Sequence, residues 1–348
     1  MKNKIVEVPT IQTPIAASPG FAKKTLADFK LDIMGLCGFG CRYCSSYNGN
    51  YLRIRRRKFA DLTAEQLGKR ILPTDDPSLT FVWPDLIDNL QVQLAGKRKS
   101  FGAGKTLVFS MLTDAFSSPV VKQGITRQAL ELLLEKTSFR IRVLTKSAKA
   151  ASPEFINLYK QALERFLVGL SIGSSDDSWA RKIELGASLP SERINALHAL
   201  QDAGIPTFGM LCPVFPDMLE GSRLESLIDK IHPDVVEEIF AEPYNDRANW
   251  QIVRDGYAPG SAGFKRITEV FGTGKAAAWS RYATDLYLRL REKAEAEGWI
   301  GKLRYLLYEG KITPEDAGRI GRLDGMLLQG NPDENGKSKN AALAALQG

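Results

Sequence analysis

The stretch DFKLDIMGLCGFGCRYC, residues 28–44, decides how the rest of the chain is read. Its first part, 28–36, has the apolar content of a strand and runs directly into a loop that carries Cys37, Cys41 and Cys44. The loop therefore sits at a strand's C-terminal end. Three thiols spaced by three residues and then by two can hold three irons of a cubic [4Fe–4S] cluster and leave the fourth iron without a protein ligand. A structural zinc site needs four ligands, yet the only histidines are His198, inside an expected helix, and His232, beside Pro233. Both histidines read as structural. The fourth cysteine, Cys212, lies far downstream, and three cysteines within eight residues are denser than the packing of ordinary buried thiols requires.

Outward from the loop, a polar connection with breakers at Pro73, Pro77 and Pro84 precedes an apolar run, 106–112, that reads as a buried strand ending at Thr113 and Asp114. Helices expected at 127–136, 153–163, 191–203 and 219–231 then alternate with strands at 139–145, 166–172, 206–212 and 235–241, giving about six β/α units. Such alternation implies a parallel sheet covered by helices, with functional loops at the strands' C-terminal ends. Periodicity admits a partial barrel and a doubly wound sheet alike. The expected organisation is an N-terminal arm (1–25), an α/β domain (26–245, with the cysteine loop at 37–44) and a mainly helical C-terminal extension (246–330), followed by a flexible tail (331–348). Long helices are expected at 275–297 and 314–329, and no internal repeat is evident beyond the alternation.

With 348 residues and 44% hydrophobic content, the chain can fill one large core or two ordinary ones. The first residues lack the apolar centre of a signal peptide, and no stretch approaches the roughly 18 apolar residues of a membrane span. Only four cysteines occur, three of them in one loop. A disulfide framework is therefore not expected, and a reducing, cytoplasmic setting is. Residues 1–150 carry 24 Lys and Arg against 12 Asp and Glu, a net of +12, whereas the remainder nets −5. The basic half, with Arg53, Arg55, Arg56, Arg57 and Lys58 close after the cysteines, suits a polyanion or acidic substrate. A solvated basic helix face accounts for the same residues. Gly102–Thr106 (GAGKT) is similar to a nucleotide-binding loop, but Lys99 stands where its first glycine is needed, and the segment leads into a strand rather than out of one. ATP binding there is rejected.

The cysteine spacing resembles that of the radical S-adenosylmethionine (SAM) enzymes. Four further runs resemble the spore photoproduct lyase family and its photolyase-like relatives: SMLTDAF at 110–116, RVLTKS at 142–147, GLSIGSSD at 169–176 and IELGASLPSERINALHALQDAGIP at 183–206. The resemblance covers roughly residues 28–215. It implies a partial (β/α)6 barrel with the N-terminal arm and a C-terminal helical extension, a [4Fe–4S] cluster on Cys37, Cys41 and Cys44, and SAM chelating the open iron. It also implies an external one-electron donor of flavodoxin or ferredoxin type, and nucleic acid as substrate, with a small molecule or peptide as the alternative. On the matching positions, Tyr43 falls where the superfamily sets an aromatic against the adenine, although it would equally shield the cluster from water. Thr113 and Asp114 fall near the SAM ammonium and ribose, Lys146 near the SAM carboxylate, and Ser171 near the ribose or methionine moiety. Glu184 and Arg193 match a family E…R spacing, which serves either ligand contact or an ion pair bracing the loop. One position departs: where spore photoproduct lyase has a hydrogen-donating cysteine, this chain has Met111, and a thioether has no S–H to give. Cys212, in MLCPVFP, is the candidate replacement; a small buried thiol is its other reading. A rival of another class is a nucleic-acid-binding protein with a structural zinc.

Overall fold

Ahead of the cysteine stretch, the expected arm is built rather than irregular. The computed structural model, which describes residues 4–9, 13–274 and 276–347, has strands β1 (Lys4–Glu7) and β2 (Ile15–Ala17) there, followed by a short helix, Pro19–Ala22. The strand expected over 28–36 forms as two, β3 (Phe29–Leu31) and β4 (Met34–Cys37), which join different sheets. Asp32 is the reason. Its buried carboxylate accepts the N–H groups of Met111 (3.1 Å) and Leu112 (3.0 Å), so the backbone leaves one sheet there and enters the other.

The polar connection after the cysteines is also more ordered than its breakers suggest. It holds the helix Asn50–Leu67, strand β5 (Leu79–Val82) and the helix Leu86–Ala95. Strand β5 lies between β1, parallel, and β4, antiparallel, in a three-stranded sheet. Strands β6 (Thr106–Phe109), β7 (Arg140–Thr145) and β8 (Phe166–Ser171) follow in parallel register beside β3, with β2 antiparallel on the outer edge. All six residues of β8 are buried, as expected of a parallel strand covered on both faces. At the opposite end from the cysteines, Phe29, Phe101 and Phe139 form a ring cluster with centroids 5.0–5.8 Å apart. The GAGKT segment enters that cluster: Lys105 pairs with Asp28 at 3.2 Å, and a Cβ on Gly102 would stand 2.4 Å from the Phe139 ring.

These elements belong to the first of two compact units, made of the described residues up to Ser171 together with Asp176–Thr207 and Arg247–Ile252. The second takes Ile172–Ser175, Phe208–Asp246 and the described residues from Val253 onward. Its strands are β9 (Thr207–Val214, whose first residue counts with the first unit), β10 (Ile239–Pro243), β11 (Leu303–Leu307) and β12 (Met326–Leu328), parallel and hydrogen-bonded in that order.

Each unit is thus α/β with four strands in parallel register; all six expected strands form, the first as β3 and β4, and β11 and β12 add two more. The added pair lies within 246–330, which is otherwise mainly helical as expected. The helix expected at 314–329 spans only Pro314–Ile320. Gly321 and Gly325 take left-handed backbone (φ +66° and +65°), and the chain returns as β12. The helix Ala276–Ala296 forms as expected, apart from Lys275, which lies outside the described residues. The tail expected to be flexible is anchored in the second unit. Asn340 Nδ2 donates to the carbonyls of Glu309 (3.0 Å) and Ile312 (2.9 Å), and Leu343 of the helix Ala341–Ala344 is fully buried. Among the described residues no helix is long and apolar enough to cross a membrane.

Candidate metal and cofactor site

Cys37 is the last residue of β4, and the backbone turns away through Gly38 (φ +75°) and Gly40 (φ +61°), which only glycine adopts cheaply. Gly40 has a second reason: a Cβ there would stand 2.4 Å from that of Pro77. The loop is then stitched to the segment following the helix Asp177–Ile183. Arg42 N donates to Ile183 O (2.8 Å), Cys41 pairs with Glu184 as an isolated antiparallel bridge, and Gly186 N donates to Phe39 O (2.8 Å). A Cβ on Gly186 would meet Gly38 O at 3.0 Å, so the two backbones approach as closely as glycine permits. From farther along the chain, Asn249 Nδ2 donates to Tyr43 O at 2.8 Å, and Arg42 Nη1 to Ile252 O at 3.4 Å.

Cys37 and Cys44 pack against a dry core of Val6, Val8, Leu36, Tyr47, Leu52, Phe59, Leu79 and Phe81. Tyr47 satisfies its hydroxyl on Leu79 O at 3.2 Å. Burial drives the thiol pKa values up, Cys37 to about 12 and Cys41 well above the ordinary range; Cys44 moves in the same direction. The charges of the three would raise one another further, while the Lys146 ammonium opposes the rise at Cys41 and Cys44. Three thiolates in such a pocket require compensating positive charge. Among the described residues no three His, Cys, Asp or Glu side chains converge on one ion position. A cubic cluster needs no such convergence, because each thiolate binds a different iron.

Around the thiols, the polar side chains form one network. Glu184 is buried with both carboxylate oxygens engaged, one by the Tyr43 hydroxyl and the other by Arg193 Nη2, and Arg193 Nη1 donates to Ser171 O at the end of β8. Burial works against the Glu184 charge, but Arg193, Lys146 and Tyr43 outweigh it and hold its pKa below the usual value. The bracing ion pair is therefore present. Lys146 Nζ donates to Ser171 Oγ and sits 5.7 Å from the centroid of the Tyr43 ring. Asp114, just beyond β6, accepts from Thr145 Oγ1 (2.7 Å), Phe116 N (2.9 Å) and Lys146 N (2.7 Å). Its carboxylate is occupied in fixing the end of β7, and burial raises its pKa. By contrast, Thr113 Oγ1 and Ser110 Oγ, at the C-terminal end of β6, are buried with no hydrogen-bond partner. Polar atoms so placed are costly unless a ligand or water meets them.

The structure gathers Cys37, Cys41, Cys44, Tyr43, Thr113, Asp114, Lys146, Ser171 and Glu184 in the first unit. Cys212 is in the second, where its Sγ donates to Glu242 Oε2 at 3.5 Å and Tyr308 OH donates to Glu242 Oε1 at 2.8 Å. Sequence reasoning missed Asp32, Tyr47, Ser110, Gly186 and Asn249. Two of these carried a signal: Ser110 opens the SMLTDAF run, and Gly186 lies in the IELG run next to Glu184.

No family model matches the sequence, and no curated protein does. Among solved structures, the fold is similar to spore photoproduct lyase. A cysteine-to-serine variant matches over 74% of this chain and 67% of its own, with 13% identity and a TM-score of 0.47. A tyrosine-to-phenylalanine variant matches over the same shares with a TM-score of 0.48, and the lyase complexed with dinucleoside spore photoproduct matches with 0.46.

Proposed function

We propose that this chain is a radical SAM enzyme in which Cys37, Cys41 and Cys44 hold a [4Fe–4S] cluster and residues at the ends of β6, β7 and β8 hold SAM. One observation carries the reading: three thiols of one loop lie within reach of one another's charge and of the Lys146 ammonium, in the compact unit whose Thr113 and Ser110 hydroxyls are buried without a hydrogen-bond partner. When bound, the cluster and SAM supply the hard chemistry, reductive cleavage to a 5′-deoxyadenosyl radical that abstracts a substrate hydrogen. The chain's own residues bind, orient and exclude water. Lys146 offers a cation for the SAM carboxylate, while Thr113 and Ser110 offer hydroxyls that have no other partner. Tyr43 offers an aromatic face whose tilt is set by Glu184, itself locked by Arg193. Asp114 acts through the backbone of Lys146, as a positioning residue.

Nucleic acid is the substrate class we favour, supported by the photolyase-like sequence runs and by the net +12 of residues 1–150. Because Met111 has no S–H, Cys212 is assigned as the hydrogen donor, its thiol held by Glu242. Reduction comes from an external one-electron donor. Anaerobic reconstitution with iron and sulfide, followed by reductant and SAM, tests the core of the reading. A brown protein that forms 5′-deoxyadenosine is expected; an intact cluster that forms none refutes it. For the substrate, nucleic-acid binding that weakens steeply with salt and accelerates SAM cleavage is expected. A flat response in both removes the polyanion.

A further inference from the structure

We infer that the outer face of the helix Asn50–Leu67 is the docking surface for an acidic one-electron carrier protein of the flavodoxin or ferredoxin class. The inference rests on the cluster assignment above and adds to it the place where the electron enters. The helix begins six residues after Cys44. Its inner face, Leu52 and Phe59, packs in the same apolar core as Cys37 and Cys44. Its outer face carries Arg53, Arg55, Arg56, Arg57 and Lys58, all exposed. A carrier seated there is separated from the cysteines by about the thickness of one helix, roughly 10 Å.

The charge on this face is not consumed internally. Asp61 takes Arg57 (3.8 Å) and Arg70 (2.9 Å), but among the described residues no carboxylate pairs with Arg53, Arg55, Arg56 or Lys58. Amid these cations stand two exposed apolar side chains, Ile54 (78% exposed) and Tyr51 (51% exposed). That combination decides between partners. A phosphate backbone is met by the cations alone, whereas a small apolar centre ringed by charge suits a weak, transient redox complex. Beside the helix's first turn, a notch of about 270 Å³ lined by Asn50, Arg53, Arg56, Thr74 and Ala248 would receive an acidic loop of the carrier. In the transfer, the reduced carrier loses one electron and the oxidised cluster gains it; no bond is made or broken.

The test uses the reconstituted full chain, an acidic flavodoxin as probe, and the Arg53→Glu/Arg56→Glu/Lys58→Glu variant with Ile54→Ala as the milder second. Two readouts are taken: the affinity for flavodoxin by surface plasmon resonance, and the rate of cluster reduction by reduced flavodoxin against dithionite, followed by EPR. Charge reversal should weaken binding and slow flavodoxin-driven reduction at least about tenfold at low salt, with the dithionite rate unchanged. Ile54→Ala should weaken binding without altering its salt dependence. Wild-type rates from flavodoxin in the charge-reversed variant overturn the inference. So does a wild type that dithionite reduces but neither flavodoxin nor ferredoxin does, and so does a charge reversal that abolishes nucleic-acid binding while sparing flavodoxin. Failure of the wild type to assemble a cluster sinks the cluster assignment itself, a separate and visible outcome.

Discussion

Arg193→Met removes the cation on which the buried carboxylate of Glu184 depends. Arg193 is fully buried and Glu184 is 5% exposed, so water cannot replace the lost partner. What remains for Glu184 is the Tyr43 hydroxyl and the nearby charge of Lys146. Orphaning one member of a buried pair costs about 3–5 kcal/mol, roughly two to four powers of ten in the folded ratio. Glu184→Gln keeps the size and an acceptor oxygen but leaves the fully buried Arg193 guanidinium without its counter-charge, and should likewise cost about 3–5 kcal/mol. In the double variant both charges are gone, and its cost should fall short of the sum by at least about 1 kcal/mol. Because two compact units do not guarantee a single unfolding transition, a local probe belongs beside urea unfolding. Hydrogen exchange on peptides spanning 37–48 and 183–194 reads opening of the cysteine loop directly. Arg193→Met within about 0.5 kcal/mol of wild type, or strict additivity in the double variant, would refute the bracing role.

Alanine at Cys37, Cys41 or Cys44 should each abolish iron retention and the brown absorption, measured by iron and sulfide analysis after reconstitution. Gly186→Val should leave far-UV circular dichroism unchanged but lower cluster content severalfold, since even a Cβ there meets Gly38 O at 3.0 Å and Phe39 Cα at 3.1 Å; full cluster content would show that the loop yields. The pKa of Glu184 is held below its ordinary value of 4.5 in the folded state. Its contribution to stability is therefore present above that value and lost as pH falls through the folded pKa. The stability gap between wild type and Glu184→Gln should accordingly be constant at neutral pH and close in acid, a trend that urea midpoints at several pH values will show or exclude. Cys212→Ala should leave the cluster and 5′-deoxyadenosine formation intact while ending productive turnover. Normal product from this variant would remove Cys212 as hydrogen donor.

The cysteine loop was legible because three sulfurs in one loop have few other uses, and β6, β7 and β8 because runs such as TLVF and FLVGLS are apolar on both faces. Where one residue redirects the backbone, periodicity failed. Asp32 divides what reads as one strand, and its partners at Met111 and Leu112 lie about 80 residues away. The helix Asn50–Leu67 looked like a charge run because its inward face needs only Leu52, Phe59 and Thr63 among many arginines. Strands β11 and β12 were hidden by brevity, five and three residues beside strongly helical neighbours. Within the site, the residue types were readable and their couplings were not. Asn249 bonds to Tyr43 from 206 positions away, a relation only the fold creates.

Those couplings give Arg193 a role beyond holding the loop. Lys146 lies near two buried carboxylates, and each is already engaged: Asp114 by two backbone N–H groups and Thr145, Glu184 by Tyr43 and Arg193. One hydrogen-bond partner of its ammonium is the neutral hydroxyl of Ser171. An incoming carboxylate displaces a hydroxyl at far lower cost than it displaces another carboxylate, because charge-assisted bonds are about twice as strong as neutral ones. By holding the Glu184 carboxylate, Arg193 limits how strongly that carboxylate draws on the Lys146 charge. Without Arg193, the bare carboxylate of Glu184 would compete for that ammonium directly. Arg193→Met should then weaken SAM binding more than loss of loop stability explains, and Glu184→Gln/Arg193→Met, with no carboxylate left to compete, should restore most of that affinity.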